Sequence, residues 1–493
     1  MPRFLKLIRI PVVQAIGLAV VYTLVVSFIS LLKHYSYSTG AFDLGIFSQS
    51  LWYTIRGNPL YNSPEGMSHL AYHFSPILFL LVPIFRLAPH SETLLIFQSI
   101  VIGASGYLVY RLARTQLEHG TALLVEVLFL LSPLVNGVSF FDFHEVALAI
   151  PTLLIMLIGL LEQRWVIFAI GLFLSLMTRQ DVAAALAVFG AIMLIAQYLK
   201  TRKVEKAYLA IFVSSVITGV IAIIVASGLS GWNEPPMLMY MHTEAWTYTD
   251  KPSGFIAGEA LRHFFSWKSI GLFLLYFIPL GFLPLLSPLW TAPALFNLAK
   301  DMLATAPGQK ELLQYPAPAI PFLFLALIIS LKKVQDGKAG HSCLRDKRVW
   351  RVISIILIVI SLLVSITCCP GLRGIHLPNT HDEAISSVIA LIPDGTTVTA
   401  SNHIFPHLCT RTFTCSPWDP GGQKLDAEYI VIDLKKMSDY ISSSQKQNID
   451  WVKQLENDYG IVAHVDGATL FKRGYKGELV MGTIPINWQG AFD

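Results

Sequence analysis

Between two long apolar stretches near the start of the chain, residues 42–47 read FDLGIF and residues 69–76 read HLAYHFSP. This loop holds an aspartate and two histidines just outside a membrane face, where ionisable groups usually serve a function. Read as a helix, residues 44–56 carry an apolar stripe formed by Leu44, Phe47, Leu51 and Ile55. Polar side chains such as Ser48 and Gln49 lie away from the stripe, so we expect the helix to lie in the membrane interface.

Asp43 and Gly57 stand at the two ends of this predicted helix. Asp43 occupies the N-cap position, and Gly57 occupies the position after the C-cap. In one interpretation Asp43 only caps the helix. In the other it is a general base at a cleft that faces the membrane. The two roles are compatible, because one carboxylate can accept backbone hydrogen bonds and also a proton.

The composition is typical of a polytopic α-helical membrane protein. Of the 493 residues, 54% are hydrophobic and only 14% are charged. Apolar segments of about 20 residues, the length that a hydrocarbon layer requires, recur from residue 11 to residue 368. The first of them follows three basic residues and has no small-residue cleavage site, so we interpret it as a retained signal-anchor. The five cysteines lack the spacing of a zinc site.

Lysines and arginines predict the topology, because they accumulate in cytoplasmic loops. The basic loops agree with one another only if the short apolar run at residues 74–87 dips into the membrane without crossing it. This choice predicts about eleven spans in the cytoplasmic membrane, with the N-terminus inside and the C-terminus outside. The fold class is therefore an α-helical polytopic membrane protein.

Beyond the last apolar segment the composition becomes that of a soluble domain. We predict a transmembrane domain at residues 1–375 and a small extracytoplasmic α/β domain at residues 376–493. Its predicted elements are helices at 382–391 and 447–459 and strands at 397–400, 429–433, 461–465 and 469–472. No nucleotide-binding motif or catalytic pattern is found in it. If this domain lies outside, Cys409 and Cys415 either form a disulfide or remain thiols.

The predicted topology places a group of ionisable residues on the outer face: Asp43, His69, His73, Asp142, His144, Glu145, Arg179 and Asp181. Polar groups with purely structural roles would be shared between both faces, whereas a site built from loops at one face produces this clustering. Lys310, in the loop at residues 304–315, is a further candidate cation. We expect the outer loops to form one cavity lined by Asp43 and Asp142.

These candidates also have structural alternatives. The acids and the histidine at residues 142–145 could cap the fourth span, and Arg179 could pair with Asp181 at the end of a span. His69 and His73, four residues apart, could share a helix face and bind a metal. The HExxH pattern is missing, so a divalent cation near Asp43, His69 and His73 is not favoured, and we expect no cofactor.

The order of several short motifs carries a resemblance to a known superfamily. The chain has, in order, Asp43 after the first span, HFSP at 73–76, RLAR at 111–114, Ser132-Pro133, and Asp142 before the fourth span. This order resembles the GT-C superfamily of membrane glycosyltransferases. More closely, the chain resembles a group of predicted prokaryotic multi-spanning proteins of unknown function that is grouped with that superfamily. Residues 42–49, 73–76 and 141–145 carry the closer match.

The resemblance implies transfer of a sugar from a lipid-phosphate-linked donor at the extracytoplasmic face, with Asp43 as the catalytic base and Asp142 holding the acceptor. Superfamily members that bind a metal commonly show paired acids in the first loop, whereas Leu44 and Gly45 follow Asp43 here. A metal-free mechanism is therefore expected.

The remaining candidates for substrate binding are His73, His144, Glu145, Arg179 and Lys310. Of these, Arg179 and Lys310 are the cations that could neutralise the departing phosphate. The expected partners are membrane lipids and the lipid-linked donor, and no nucleic acid. The alternatives are a transporter or flippase, for which internal repeats and charges at mid-membrane are expected but not seen, and a scaffold whose outer domain binds partners.

Overall fold

The computed structural model describes residues 10–231, 258, 261–304, 310–340, 347–411, 414–415, 427–439 and 455–483. Contacts divide the chain into two compact units. The first, called the helical unit here, comprises Met1–Phe28, Leu70–Leu80 and Ile96–Arg373. The second, called the mixed unit, comprises Ile29–His69, Leu81–Leu95 and Gly374–Asp493. The first loop up to His69 is thus grouped with the C-terminal part of the chain, whereas residues 70–80 belong to the helical unit.

Before the C-terminal part, the chain is mostly helical among the residues that the structure describes. Its α-helices are α1 (Pro11–Tyr35), α2 (Ile46–Ile55), α3 (Val82–Leu87), α4 (Ser91–Arg114), α5 (His119–Leu130), α6 (Pro133–Phe140), α7 (Ala149–Leu161), α8 (Trp165–Leu176), α9 (Gln180–Thr201), α10 (Lys206–Leu229), α11 (Trp267–Phe277), α12 (Pro288–Leu303), α13 (Ile320–Gln335) and α14 (Lys347–Cys368).

Fewer spans than predicted are found when only the length and composition of each helix are considered. Among the described residues, five helices (α1, α4, α9, α10 and α14) are long and apolar enough to cross a membrane. The pair α5 and α6, bent by 47°, adds a sixth candidate. Pro133 at the start of α6 explains the bend, because Ser132 before it adopts φ −59° and ψ 132° and leaves the helical region. The predicted count of about eleven is not confirmed.

Helix α13 lies at the centre of the helical unit. Its residues from Ile320 to Ile328 are buried on every side, as expected for a helix without a polar face. By contrast, α3 has only 6 residues and is about 9 Å long, too short to cross a hydrocarbon layer of about 30 Å.

The mixed unit contains a six-stranded sheet whose strand order is β4-β3-β5-β7-β6-β8. The strands are β3 (Val398–Ala400), β4 (Thr414–Cys415), β5 (Tyr429–Asp433), β6 (Tyr459–Val465), β7 (Ala468–Arg473) and β8 (Met481–Gly482), and a short hairpin of β1 (Tyr61–Asn62) and β2 (Met67–Ser68) precedes them. Strand β3 is parallel to β4 and β5, whereas β7 is antiparallel to β5 and β6. Helix α15 (Thr380–Ile389) packs on the sheet.

Most of the predicted elements of the C-terminal part are found. Asp466 and Gly467, with φ of 48° and 89°, form the turn between β6 and β7, as the Asp-Gly pair predicts. The predicted helix at 447–459 lies mostly outside the described residues. Cys409 is a free, buried cysteine, so it is not bridged to Cys415. Burial raises the pKa of its thiol to about 11.

Helix α2 is more buried than its sequence pattern predicts. Leu44, Phe47 and Leu51 are buried as expected, but Ser48 and Gln49 are buried as well. These two polar side chains, which lie away from the apolar stripe, are therefore enclosed by protein. The reason is the β1–β2 hairpin, which covers that side. Gln49 Oε1 accepts hydrogen bonds there from the Ser63 N–H at 2.7 Å and from the Ser63 hydroxyl at 2.9 Å.

The C-terminal end of α2 is confirmed. Gly57 has φ +88°, the left-handed conformation that glycine adopts without a steric penalty. Its N–H donates to Thr54 O at 3.1 Å, and the Asn58 N–H donates to Tyr53 O at 3.0 Å. These two bonds form a Schellman motif.

Candidate functional site

Asp43 lies inside a helical turn and not at the position of a cap. It is the third residue of the π-turn Ala41–Gly45, which continues directly into α2. The N-cap residue of this turn is Gly40, which is extended at φ −113° and ψ 152° and has no side chain to offer. The prediction that Asp43 is the N-cap is therefore wrong, because Asp43 lies three residues after the N-cap residue Gly40. The half-buried carboxylate lies in the first turn, where the helix dipole favours a negative charge.

The cap of the Asp43 turn comes from a distant residue. Asn402 Oδ1 accepts a hydrogen bond from the Ala41 N–H at 2.7 Å. A methyl group added to Gly40 would lie 3.2 Å from Asp43 Oδ2 and 3.4 Å from Asn402 Nδ2. The carboxylate and the amide therefore lie against the same glycine. The sequence gives no local sign of this contact, because Asn402 follows Ala41 by 361 residues.

In the helical unit, Gln98 on α4 holds the loop that carries Asp142 and His144. Its Oε1 accepts a hydrogen bond from the His144 N–H at 3.0 Å, and its Nε2 donates to Val138 O at 3.2 Å. Asp142 and His144 are both buried. His144 precedes the short helical turn Glu145–Leu148 but makes no side-chain capping bond to it. The capping alternative is therefore wrong for His144.

Arg179 is the centre of a buried group of charges. It donates to both oxygens of Asp181, from Nε at 2.9 Å and from Nη2 at 2.6 Å, which confirms the predicted pair. Its Nη1 lies 3.7 Å from Glu145 Oε1. On the other side, Lys300 Nζ lies 3.4 Å from Asp181 Oδ2 and 3.2 Å from Asp301 Oδ1. The charge of Arg179 is thus balanced by the protein itself.

His73 joins this group through Gln180, the first residue of α9. Gln180 Nε2 lies 3.1 Å from His73 Nδ1, and Gln180 Oε1 accepts a hydrogen bond from the Phe74 N–H at 2.9 Å. The Ser75 hydroxyl donates to Glu145 Oε1 at 3.4 Å. The structure therefore brings together the predicted residues His73, Glu145 and Arg179.

His69 and His73 do not share a helix. His69 belongs to the mixed unit, where its Nδ1 lies 2.9 Å from Glu65 Oε1. The 3₁₀ turn His69–Ala71 ends before His73, so the prediction of a shared helix face is wrong. In the part of the chain that the structure describes, no three His, Cys, Asp or Glu side chains are grouped as a metal site would require.

Lys310 lies over the N-terminus of α11. Its Nζ donates to His263 O at 2.9 Å and to the hydroxyl of Ser266 at 3.4 Å. Ser266 is the N-cap of α11, and its hydroxyl accepts a hydrogen bond from the Ser269 N–H. Burial, together with the nearby charge of Lys268, holds the pKa of Lys310 below its usual range. Two cations thus meet the positive end of a helix dipole.

The C-terminal part contains a polar cluster that the sequence does not reveal. Asp433, buried at the end of β5, accepts hydrogen bonds from His381 Nε2 at 3.1 Å and from His403 Nε2 at 3.0 Å. Burial alone would raise the pKa of Asp433, but these two bonds outweigh it and hold the pKa below its usual range. The bond to Asp433 in turn raises the pKa of His381, whose Nδ1 lies 3.0 Å from Asp466 Oδ2.

The candidate residues are distributed over both units. Asp43 belongs to the mixed unit, whereas His73, Asp142, His144, Glu145, Arg179 and Lys310 belong to the helical unit. The cavity shared by Asp43 and Asp142 stays a prediction.

The solved structures that are similar to the chain include two of one bacterial protein and one of an archaeal protein. ArnT from Cupriavidus metallidurans bound to undecaprenyl phosphate gives a TM-score of 0.49 at 11% identity, and its apo state gives 0.47 at 13%. Each comparison covers 92% of this chain and 97% of that chain. The Archaeoglobus fulgidus oligosaccharyltransferase complex with Zn and sulfate gives 0.43 at 15%, covering 92% of this chain and 73% of that chain. These TM-scores are too low to carry an argument.

No curated protein matches the chain. One family profile, described as "Predicted membrane protein (DUF2079)", matches residues 33–470, which is most of the sequence. The matched region contains the first loop, the segment around Asp142 and most of the C-terminal part. The chain therefore belongs to the DUF2079 family of predicted membrane proteins.

Proposed function

We propose that the protein transfers a sugar from a lipid-phosphate-linked donor to an acceptor at the extracytoplasmic face of the membrane. The order of its motifs, which resembles that of the GT-C superfamily, supports this function. The observation that carries the proposal is the electropositive N-terminus of α11. There Lys310 is buried near Lys268 and is hydrogen-bonded to two neutral oxygens.

A departing lipid phosphate needs a cation, because it gains negative charge as the sugar leaves. Lys310 suits this role better than Arg179, although both are buried. Arg179 is already bound by both oxygens of Asp181. An anion bound to Lys310 would offset the free-energy cost of burying the Lys310 charge and the repulsion between Lys310 and Lys268. We therefore assign the phosphate to Lys310 and a supporting role to Arg179, which holds Glu145.

The transfer step follows from these roles. Asp43 removes the proton of the acceptor hydroxyl, and the hydroxyl oxygen forms a bond to the anomeric carbon of the donor. The bond from that carbon to the phosphate oxygen breaks, and its electron pair stays on the lipid phosphate. The proton ends on Asp43. His73, Asp142, His144 and Glu145 would hold the hydroxyl groups of the substrates through hydrogen bonds.

The proposal is tested by incubating the purified protein with a panel of lipid-phosphate sugars and measuring released lipid phosphate and new glycosidic product. We expect the wild-type protein to release lipid phosphate from at least one donor, and the Asp43→Asn variant to release far less. If the protein in vesicles moves a donor across the bilayer and releases no lipid phosphate, it is a transporter or flippase and the proposal is wrong.

A further inference from the structure

We infer that Asn402 is a positioning residue for Asp43, and this inference rests on the proposed function. Asn402 lies in residues 401–409, called the capping loop here, which follow β3. Because the mixed unit contains both the capping loop and the Asp43 turn, every contact used below lies within that unit. The C-terminal part would then contribute directly to the arrangement of the catalytic carboxylate.

The residue before the Asp43 turn cannot cap it with a side chain. The N-terminal N–H groups of a helical turn have no partner within the helix, and the residue before the turn normally supplies one. Gly40 holds that place and has no side chain, so the Ala41 N–H donates to Asn402 Oδ1 instead. The turn that carries Asp43 is therefore fixed at its start by a residue of the capping loop.

The side chains of Asp43 and Asn402 both lie close to Gly40. A methyl group on Gly40 would approach both Asp43 Oδ2 and Asn402 Nδ2 to within 3.4 Å. The Nδ2 atom is a hydrogen-bond donor, and it lies near the same face of Gly40 as Asp43 Oδ2. Asn402 thus holds the backbone under Asp43 and places a donor on the same side of the turn.

The capping loop is itself fixed by several contacts. Phe405 packs against the turn, since a methyl group on Gly45 would lie only 2.6 Å from Phe405 Cδ1. His407 Nε2 donates to His34 O at 3.1 Å, and the two rings stack with centroids 3.9 Å apart. His403 is bound to Asp433. A loop fixed at several points can keep the amide of Asn402 in one place.

The test compares three variants of the full-length protein. Asn402→Ala removes the acceptor, and Asn402→Asp keeps an acceptor of the same shape. Asn379→Ala is the matched control, because Asn379 caps α15 within the same unit and loses a bond of the same kind. Hydrogen exchange of residues 38–46 is measured for each protein, together with the kcat and KM of sugar transfer.

We expect Asn402→Ala to speed exchange at Ala41 about fivefold, equivalent to about 1 kcal/mol. Asn402→Asp keeps the acceptor but places a second carboxylate near Asp43, so it should restore part of the protection. In the active enzyme, Asn402→Ala should lower kcat about tenfold and leave the KM of the donor within twofold, whereas Asn379→Ala should change neither. An Asn402→Ala variant with unchanged kcat would overturn the positioning role. If the wild-type protein transfers no sugar, the proposed function fails, and unchanged exchange at Ala41 would still refute the capping contact separately.

Discussion

Asp181 in the helical unit and Asp43 in the mixed unit are two aspartates near the start of a helix, and they are held in different ways. Asp181 is bound through both oxygens by Arg179 and is also close to Lys300. Asp43 lies half-buried beside the neutral amide of Asn402. A carboxylate held by two cations is a poor proton acceptor, and breaking such a buried pair is costly. The comparison indicates that Asp181 maintains structure, and Asp43 as the general base stays a prediction.

The largest expected effect is that of Asp43→Asn on activity. Asparagine has nearly the same shape, and Asn402 rather than Asp43 caps the turn, so we expect the variant to fold and insert normally. Loss of a general base should lower kcat by about 10²–10⁴-fold, roughly 3–5 kcal/mol of transition-state stabilisation. Release of lipid phosphate by the purified variant measures this. Asp458→Asn, at an exposed aspartate, is the control, and full activity of Asp43→Asn would show that Asp43 is not the base.

Arg179→Met tests the structural role of Asp181, since we expect it to lower the stability of the protein. It removes Arg179 from the buried Glu145 and leaves Asp181 with Lys300 alone, which should lower the free energy of unfolding by about 3–5 kcal/mol. Thermal unfolding of the protein in detergent measures the change. The double variant Arg179→Met/Asp181→Asn should regain part of the loss. An unchanged midpoint in the single variant would contradict a structural role for the pair.

Lys310→Met separates the two buried cations by function. We expect kcat/KM for the lipid-linked donor to fall about 10²-fold, roughly 2.7 kcal/mol, because the leaving phosphate loses its cation. Stability should change little, since the Lys310 ammonium is bonded only to neutral oxygens among the contacts described above. Lys333→Met is a suitable control, because Lys333 also donates to a carbonyl, that of Leu286. Equal losses of activity in both variants would argue against a phosphate site.

The smallest expected effect concerns His381 and the pH dependence of stability. The pKa of His381 is raised in the folded protein. The bond between His381 and Asp433 therefore contributes its full stabilisation of the fold at a pH below about 6.5, the pKa of histidine in the unfolded chain. This contribution is lost as the pH rises through the pKa of His381 in the folded protein. We expect the wild-type protein to exceed His381→Gln in stability by about 1 kcal/mol at pH 6, with a smaller difference at pH 9. Parallel unfolding experiments at both pH values measure it. A difference independent of pH would refute this assignment.

Features that depend on neighbouring residues were predictable from the sequence. The helices follow from long apolar runs, Gly57 from the need for a left-handed residue, and the Asp466-Gly467 turn from its dipeptide. The pairing of Arg179 with Asp181, two residues apart, is also local.

Contacts between distant parts of the chain could not be predicted. Gln98 and Asn402 are common polar residues, and their importance comes from loops that lie 40 to 361 residues away in the sequence. The burial of Gln49 was unpredictable for the same reason, because the hairpin that covers it leaves no sign in the pattern of α2. Asp433, His381 and His403 gather only when the sheet forms.

The long separation between Ala41 and Asn402 has a consequence for biosynthesis. A ribosome adding about 5–20 residues per second needs roughly 20–70 s to make the intervening 361 residues. During that interval the turn that carries Asp43 exists without its cap, while most of the membrane helices are still being made. The Asp43 carboxylate therefore reaches its final arrangement late, when nearly the whole chain has emerged. A truncated chain that ends before residue 402 would insert its helices and still lack a completed Asp43 turn.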